Sequence, residues 1–101
     1  MMKPVMITIS GELTIYQVAE TRALLQRALT GHDGSDQLML DLAGVTECDG
    51  AGVQLLLAFS QAVSAGGTDL VLCYVAPFLA ELLREFGLGS RFAECAPAVA
   101  A

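Results

Sequence analysis

The sequence predicts a small α/β domain: a mostly parallel or mixed sheet of three or four strands against three or four helices. Three observations carry that prediction. Short apolar runs at 5–10, 38–42 and 69–75 alternate with longer segments of helical periodicity, which implies parallel pairing through right-handed crossovers. The run Asp69 to Val75 is apolar on both faces, as a central strand is. The 101 residues are 54% hydrophobic and 16% charged, which suits one globular domain with one core.

In chain order, Val5 to Ser10 reads as a strand with Ile7 and Ile9 on one face and Thr8 and Ser10 on the other. Gly11-Glu12-Leu13 continues or bends it. Thr14 and Gln17 have capping-box spacing, with Leu13 and Val18 as the staple. The helix they open runs to about Thr30, with Val18, Thr21, Leu25, Ala28 and Leu29 inward and Glu20 and Arg27 outward. Gly31 to Asp36 is a polar turn holding His32, the single histidine, as a solvated side chain. Leu38 to Leu42 is the next strand, interrupted only by Asp41, and a short acidic loop follows. Asp49 then caps a second helix, its carboxylate placed for the amides of Ala51 or Gly52, with Cys48 and Val53 as a staple.

The second helix spans about Ala51 to Ala65 and ends at Gly66-Gly67. Its polar stripe is thin, Gln54 and Gln61, so it is read as buried on nearly all sides, the alternative being that its remaining apolar face is buried in a partner. Pro77 starts a third helix with Phe78, Leu79, Leu82, Leu83 and Phe86 on its apolar face. Gly87 ends it, and Leu88 folds back on Leu83. Gly89 to Phe92 makes a last short strand. Residues 1–95 form one domain and 96–101 a flexible tail.

Charge and composition exclude several function classes. The net charge is −6, and the five basic residues, Lys3, Arg22, Arg27, Arg84 and Arg91, are scattered. That argues against nucleic acid and anionic membrane surfaces and favours a basic protein partner. Cys48, Cys73 and Cys95 have no metal-ligand spacing and read as reduced hydrophobes of a cytoplasmic protein. The start lacks the features of a secretory signal, and the longest apolar segment, Val53 to Phe59, is too short to span or insert into a bilayer.

Catalytic patterns fail one by one. Gly50-Ala51-Gly52 opens like a dinucleotide fingerprint, but Leu55 stands where its third glycine belongs. There is no phosphate-binding Gly-Lys-Ser or Gly-Lys-Thr. Asp49 is committed to the cap, so Glu47 and Asp49 do not read as a catalytic pair. No Ser-His-Asp set assembles. The expectation is a non-enzyme without cofactor or metal.

What remains is a recognition knuckle at the end of a strand: Glu47, Asp49, Gly50, Ala51, Gly52, Val53 and Gln54. The two glycines beside the cap suggest close approach of another molecule. The chain here resembles the STAS domain family, which includes the bacterial anti-sigma factor antagonists. The resemblance rests on Ser10-Gly11-Glu12-Leu13, Leu40-Asp41-Leu42-Ala43-Gly44-Val45 and Asp49-Gly50-Ala51-Gly52. Gly66-Gly67, a strand and Pro77 follow in the family's order. It implies a protein–protein interaction module of bacterial signalling, docking an anti-sigma-type kinase or a chemosensory or phosphorelay component. It also implies that the usual phosphoacceptor serine is replaced by Gly50, leaving Thr46 as the nearest hydroxyl. The family's customary leading strand is missing, so residues 5–10 expose an edge open to a partner strand or to a homodimer. Other STAS proteins suggest an alternative, the cytoplasmic accessory subunit of an ABC lipid transporter. A small nucleotide-binding protein is the third reading.

Overall fold

The computed structural model describes residues 5–31, 37–89 and 92–94. Four strands, β1 (Val5–Leu13), β2 (Leu38–Cys48), β3 (Leu70–Cys73) and β4 (Ala93–Glu94), form one sheet in the order β1-β2-β3-β4. Every neighbouring pair is parallel. Three helices connect them: α1 (Val18–Thr30), α2 (Gly50–Ala65) and α3 (Pro77–Glu85). The α/β class, the parallel pairing and the central position of β3 are as the sequence predicts. The loop 32–36 with His32, Cys95 and the tail 96–101 lie outside the described residues.

The core lies against one face of the sheet. Ile7 and Ile9 of β1, Leu38, Leu40 and Leu42 of β2, and Leu70 and Leu72 of β3 are buried there. Leu25 of α1, Val53, Leu56, Phe59 and Val63 of α2, and Leu79 and Leu83 of α3 cover them. Period-two alternation in β1 and β2 puts Thr8 and Ser10 outside, as expected for strands with one covered face. In β3 all four residues are buried, so its run of apolar side chains has no alternation.

Four boundaries differ from the sequence expectation, each for a tertiary reason. β2 does not stop at Leu42; the segment expected as an acidic loop is strand to Cys48. It is held there by β1, through Ser10↔Gly44, Glu12↔Glu47 and Leu13↔Cys48. β2 carries an extra residue relative to β1 at two places, and the first of them, between Asp41 and Gly44, lets Leu42 and Val45 both point into the core. α1 starts at Val18, because the Thr14 hydroxyl accepts from the Tyr16 amide and closes a turn instead of capping a helix. β3 ends at Cys73 with Tyr74 in the left-handed region, φ 58°. The last strand is Ala93–Glu94 rather than 89–92.

α2 and α3 end alike. Gly67 donates to Ser64 and Thr68 to Val63; Gly87 donates to Arg84 and Leu88 to Leu83. Both are Schellman closures with glycine in the left-handed position, φ 89° and 76°. On α3, Leu79 and Leu83 are buried, whereas Phe78 and Phe86 of the expected apolar face are exposed. A nine-residue helix turns only two or three positions to the sheet, and its flanking aromatics stay outside.

Gly87 has open space where a Cβ would sit, so its substitution is limited by backbone strain alone. Gly87→Ala is expected to cost about 1–2 kcal/mol in urea unfolding, with an unchanged m-value.

Candidate functional site

The knuckle is built by one carboxylate. Asp49 is the extended residue between β2 and α2, and its amide donates to the Leu13 carbonyl at 3.3 Å. Its Oδ1 accepts from the Gly52 amide at 3.1 Å, the cap expected from sequence. Its Oδ2 accepts from the Ile15 amide at 3.0 Å, a bond across 34 residues. Asp49 therefore joins the end of β1, the turn before α1 and the first turn of α2. Donation from Ile15, and then from Gly52, holds its carboxyl below the usual carboxylate range despite some desolvation.

The same crossing fixes the glycine at 52. A Cβ there would lie 2.0 Å from the Leu13 carbonyl oxygen and 2.9 Å from Cys48 Sγ. Gly52 is thus required by the contact of α2 with β1, not by the approach of an outside molecule. Gly52 and Val53 are both buried, so these two expected partner-binding residues face inward. Glu47 and Gln54 are exposed, and Asp49, Gly50 and Ala51 are partly so. Gly50 has room: its Cβ would meet Phe86 Cζ at 3.5 Å, an ordinary contact.

Residues not anticipated from sequence complete the surface. Ile15 is 63% exposed and Tyr16 86%, in the turn that Asp49 ties down. Phe86, 45% exposed, lies beside Gly50. No local signal marks them, since both segments read as helix. Glu12 and Glu47 stand directly paired on β1 and β2, both exposed, and like charges so placed weaken a sheet. Tyr74 does not belong here. β3 ends level with Asp41, and β2 continues to Cys48 beyond it.

The Cys48 thiol, half-buried, is pushed up to about 11 by burial and by the Asp49 charge, so it stays protonated at neutral pH. Cys73 is buried. Among the described residues no three His, Cys, Asp or Glu side chains gather as a metal site requires, and no helix is long and apolar enough to cross a membrane.

Two outcomes follow from the geometry. Gly52→Ala is expected to lose about 3 kcal/mol or more, the upper end of overpacking costs, in urea unfolding, while Gly50→Ala melts within a few degrees of the parent. Because Asp49 is held below its unfolded value, its contribution is present above about pH 4 and is lost as pH falls through the folded value. Asp49→Ala should lower Tm by about 4–8 °C at pH 7, and the gap should close in melts taken at progressively lower pH.

Comparison with known proteins places this geometry. A protein-family model described as "Mlab, STAS domain" matches residues 2–94. Among solved structures, an anti-sigma-factor antagonist (STAS) domain protein from Planctomyces limnophilus superposes with a TM-score of 0.75 at 17% identity, covering 88% of this chain and 79% of that one. The anti-sigma factor antagonist SpoIIAA, in its unphosphorylated form, gives 0.72 at 20% identity, covering 95% and 83%. A serine-to-glutamate variant of RsbS from Moorella thermoacetica gives 0.72 at 25% identity, covering 89% and 76%. Among curated proteins none matches the sequence significantly.

Proposed function

The chain belongs to the STAS domain family, and from that premise we propose that it is a non-enzymatic docking module of bacterial signalling, anti-sigma factor antagonist-like, working in the cytoplasm. The module comprises residues 1–95. Its partner is a signalling protein, an anti-sigma-type kinase or a chemosensory or phosphorelay component. The docking surface is the exposed part of the knuckle: Glu47, Asp49, Gly50, Ala51 and Gln54, with Ile15, Tyr16 and Phe86 around them.

The observation that carries this reading is an apolar surface left open at a rigid acidic turn. Ile15, Tyr16 and Phe86 are large side chains that folding leaves in water, gathered beside a backbone that the Asp49 bonds hold in place. Exposed aromatics around a polar centre are what interfaces use as anchors. The Glu12–Glu47 pair points the same way. It sets two exposed acidic residues side by side, where a partner bearing Arg or Lys would find a counter-charge.

Gly50 bears on regulation. Among the structural neighbours, one is described in its unphosphorylated form and another as a serine-to-glutamate variant. A phosphate at position 50 would add about −2 charge between Glu47 and Asp49 and repel both. Glycine has no hydroxyl to accept it, and a Cβ there would already touch the Phe86 ring. Docking here is therefore not released by phosphorylation at position 50. A second reading draws on that same feature: an interface without a switch suits a permanent subunit, such as the STAS accessory subunit of an ABC lipid transporter.

The test is co-purification from the native cell with mass spectrometry, comparing the parent, Gly50→Asp and Glu47→Lys. A soluble kinase or regulator is expected with the parent and is lost with both variants, while thermal melts stay within a few degrees. A membrane ATPase in its place selects the second reading. Retention of the same partner by both variants would show that the knuckle is not the interface. Incubation with a recovered kinase and ATP should leave 46–54 unmodified; stoichiometric phosphate on Thr46 would mean that the switch has moved rather than vanished.

A further inference from the structure

A groove of about 590 Å³ runs along the outer edge of β1, and its lining lies wholly within residues 8–27. One wall is β1 from Thr8 to Glu12. Among the described residues that strand pairs only with β2, so the amides and carbonyls of its other edge have no strand beside them. The other wall is one flank of α1, where Glu20, Leu24 and Arg27 follow at the i, i+4, i+7 spacing of a single helix face. β1 and β2 are parallel, so the helix that joins them runs back along β1. Glu20 therefore lies toward Glu12, and Arg27 toward Thr8. The groove has an acidic end and a basic end. Glu20 and Arg27 are both exposed, and among the described residues neither is held in an ion pair. Between them Leu24 is an apolar side chain left 36% exposed.

We propose that this groove takes an extended peptide segment of a partner protein, added to the sheet antiparallel to β1. The segment carries a basic, an apolar and an acidic residue at alternate positions. An open strand edge fits an extended chain, whose own amides and carbonyls recur at matching intervals, and antiparallel pairing is the stronger kind. Alternate side chains of the added strand face the helix side of the sheet, about 6.6 Å apart. Glu20, Leu24 and Arg27 succeed one another along α1 at about 6 and about 4.5 Å. Three alternate side chains can therefore meet them in order. A strand antiparallel to β1 enters at the Glu12 end, so its order is Lys or Arg, then Val or Ile, then Asp or Glu. The same charge order excludes this chain's own β1 as the occupant. Residues 5–10 contain no ionisable side chain and would leave Glu20 and Arg27 unanswered. This inference is independent of what docks at the knuckle.

The probe is a capped peptide, Gly-Thr-Lys-Thr-Val-Thr-Glu-Thr-Gly, titrated into the isotope-labelled whole chain and followed by NMR. Saturable shifts are expected at residues 8–12 and 20–27, with a Kd of about 1 mM or tighter. The β1 amides that face away from β2 should exchange more slowly in its presence. Glu20 and Arg27 are exposed, so Glu20→Lys and Arg27→Glu should melt within a few degrees of the parent. Each should weaken the peptide about threefold or more. A peptide with glutamate in place of its lysine should regain affinity for Glu20→Lys, and N-methylation of the peptide amides that face β1 should abolish binding. No saturable shift up to about 5 mM peptide would overturn the proposal. Equal binding by the parent and both charge variants, or undiminished binding of the N-methylated peptide, would do the same. Shifts centred on Ile15, Tyr16 and Phe86 that vanish in Gly50→Asp would place the peptide at the knuckle and also overturn it.

Discussion

The rest of the structure depends on the crossing of α2 over the end of β1, held by Asp49 and permitted by Gly52. The two oxygens of one carboxylate serve two amides that belong to segments far apart in sequence, Ile15 and Gly52. The carboxylate also lies at a helix N-terminus, where negative charge is favoured. The crossing is close enough that the helix backbone and the Leu13 carbonyl leave no room for a methyl group. Parallel strands separated by a helix have no hairpin to set their relative position. Here a side chain and a missing side chain set it.

That constraint also fixes the turn beside it. The turn at 14–17 is short, exposed and rich in side chains that water does not favour. Left to itself it would fray. Tied through Ile15 to Asp49, and with the Thr14 hydroxyl bonded to both Tyr16 and Glu12, it presents Ile15 and Tyr16 in a fixed place. A partner docking there as proposed would not have to cover the entropy of ordering that turn. The arrangement also separates folding from recognition. Gly52, Val53 and Leu13 are committed to the interior, whereas Gly50, Gln54 and Tyr16 contribute little to it. The surface can therefore change residue by residue without loss of the fold.

The chain's two open features differ in chemistry. At the knuckle, acid and aromatic side chains are interleaved, which suits a basic partner with apolar anchors. Along β1 the opening is backbone beside a groove that Glu12, Glu20 and Arg27 line. One lies at the carboxyl end of β1 and β2, the other along the flank of β1, and Glu12 borders both.

Local signals in the sequence determined most of the fold. Alternation at Ile7 and Ile9, the apolar run at 70–73, Pro77 and the glycines at 67 and 87 act within a few residues of themselves. Strand identity, helix ends and the Asp49 cap were legible for that reason. The family pattern at Gly11-Glu12-Leu13 and Asp49-Gly50-Ala51-Gly52 likewise located the knuckle. What only the tertiary structure decided depends on partners distant in the chain. Residues 43–48 look like a loop because Gly44 and Glu47 are poor strand formers, yet β1 supplies the ladder that makes them strand. Thr14 has the spacing of a cap, but its hydroxyl is drawn into a turn. The glycine at 52 reads as an invitation to an outside molecule, and it is a contact with Leu13. Phe86 reads as core and comes to lie in the open beside Gly50, because a short helix on the sheet has room inside only for Leu79 and Leu83. Sequence pattern reports what a residue prefers; which neighbour it meets is set by how the strands and helices cross.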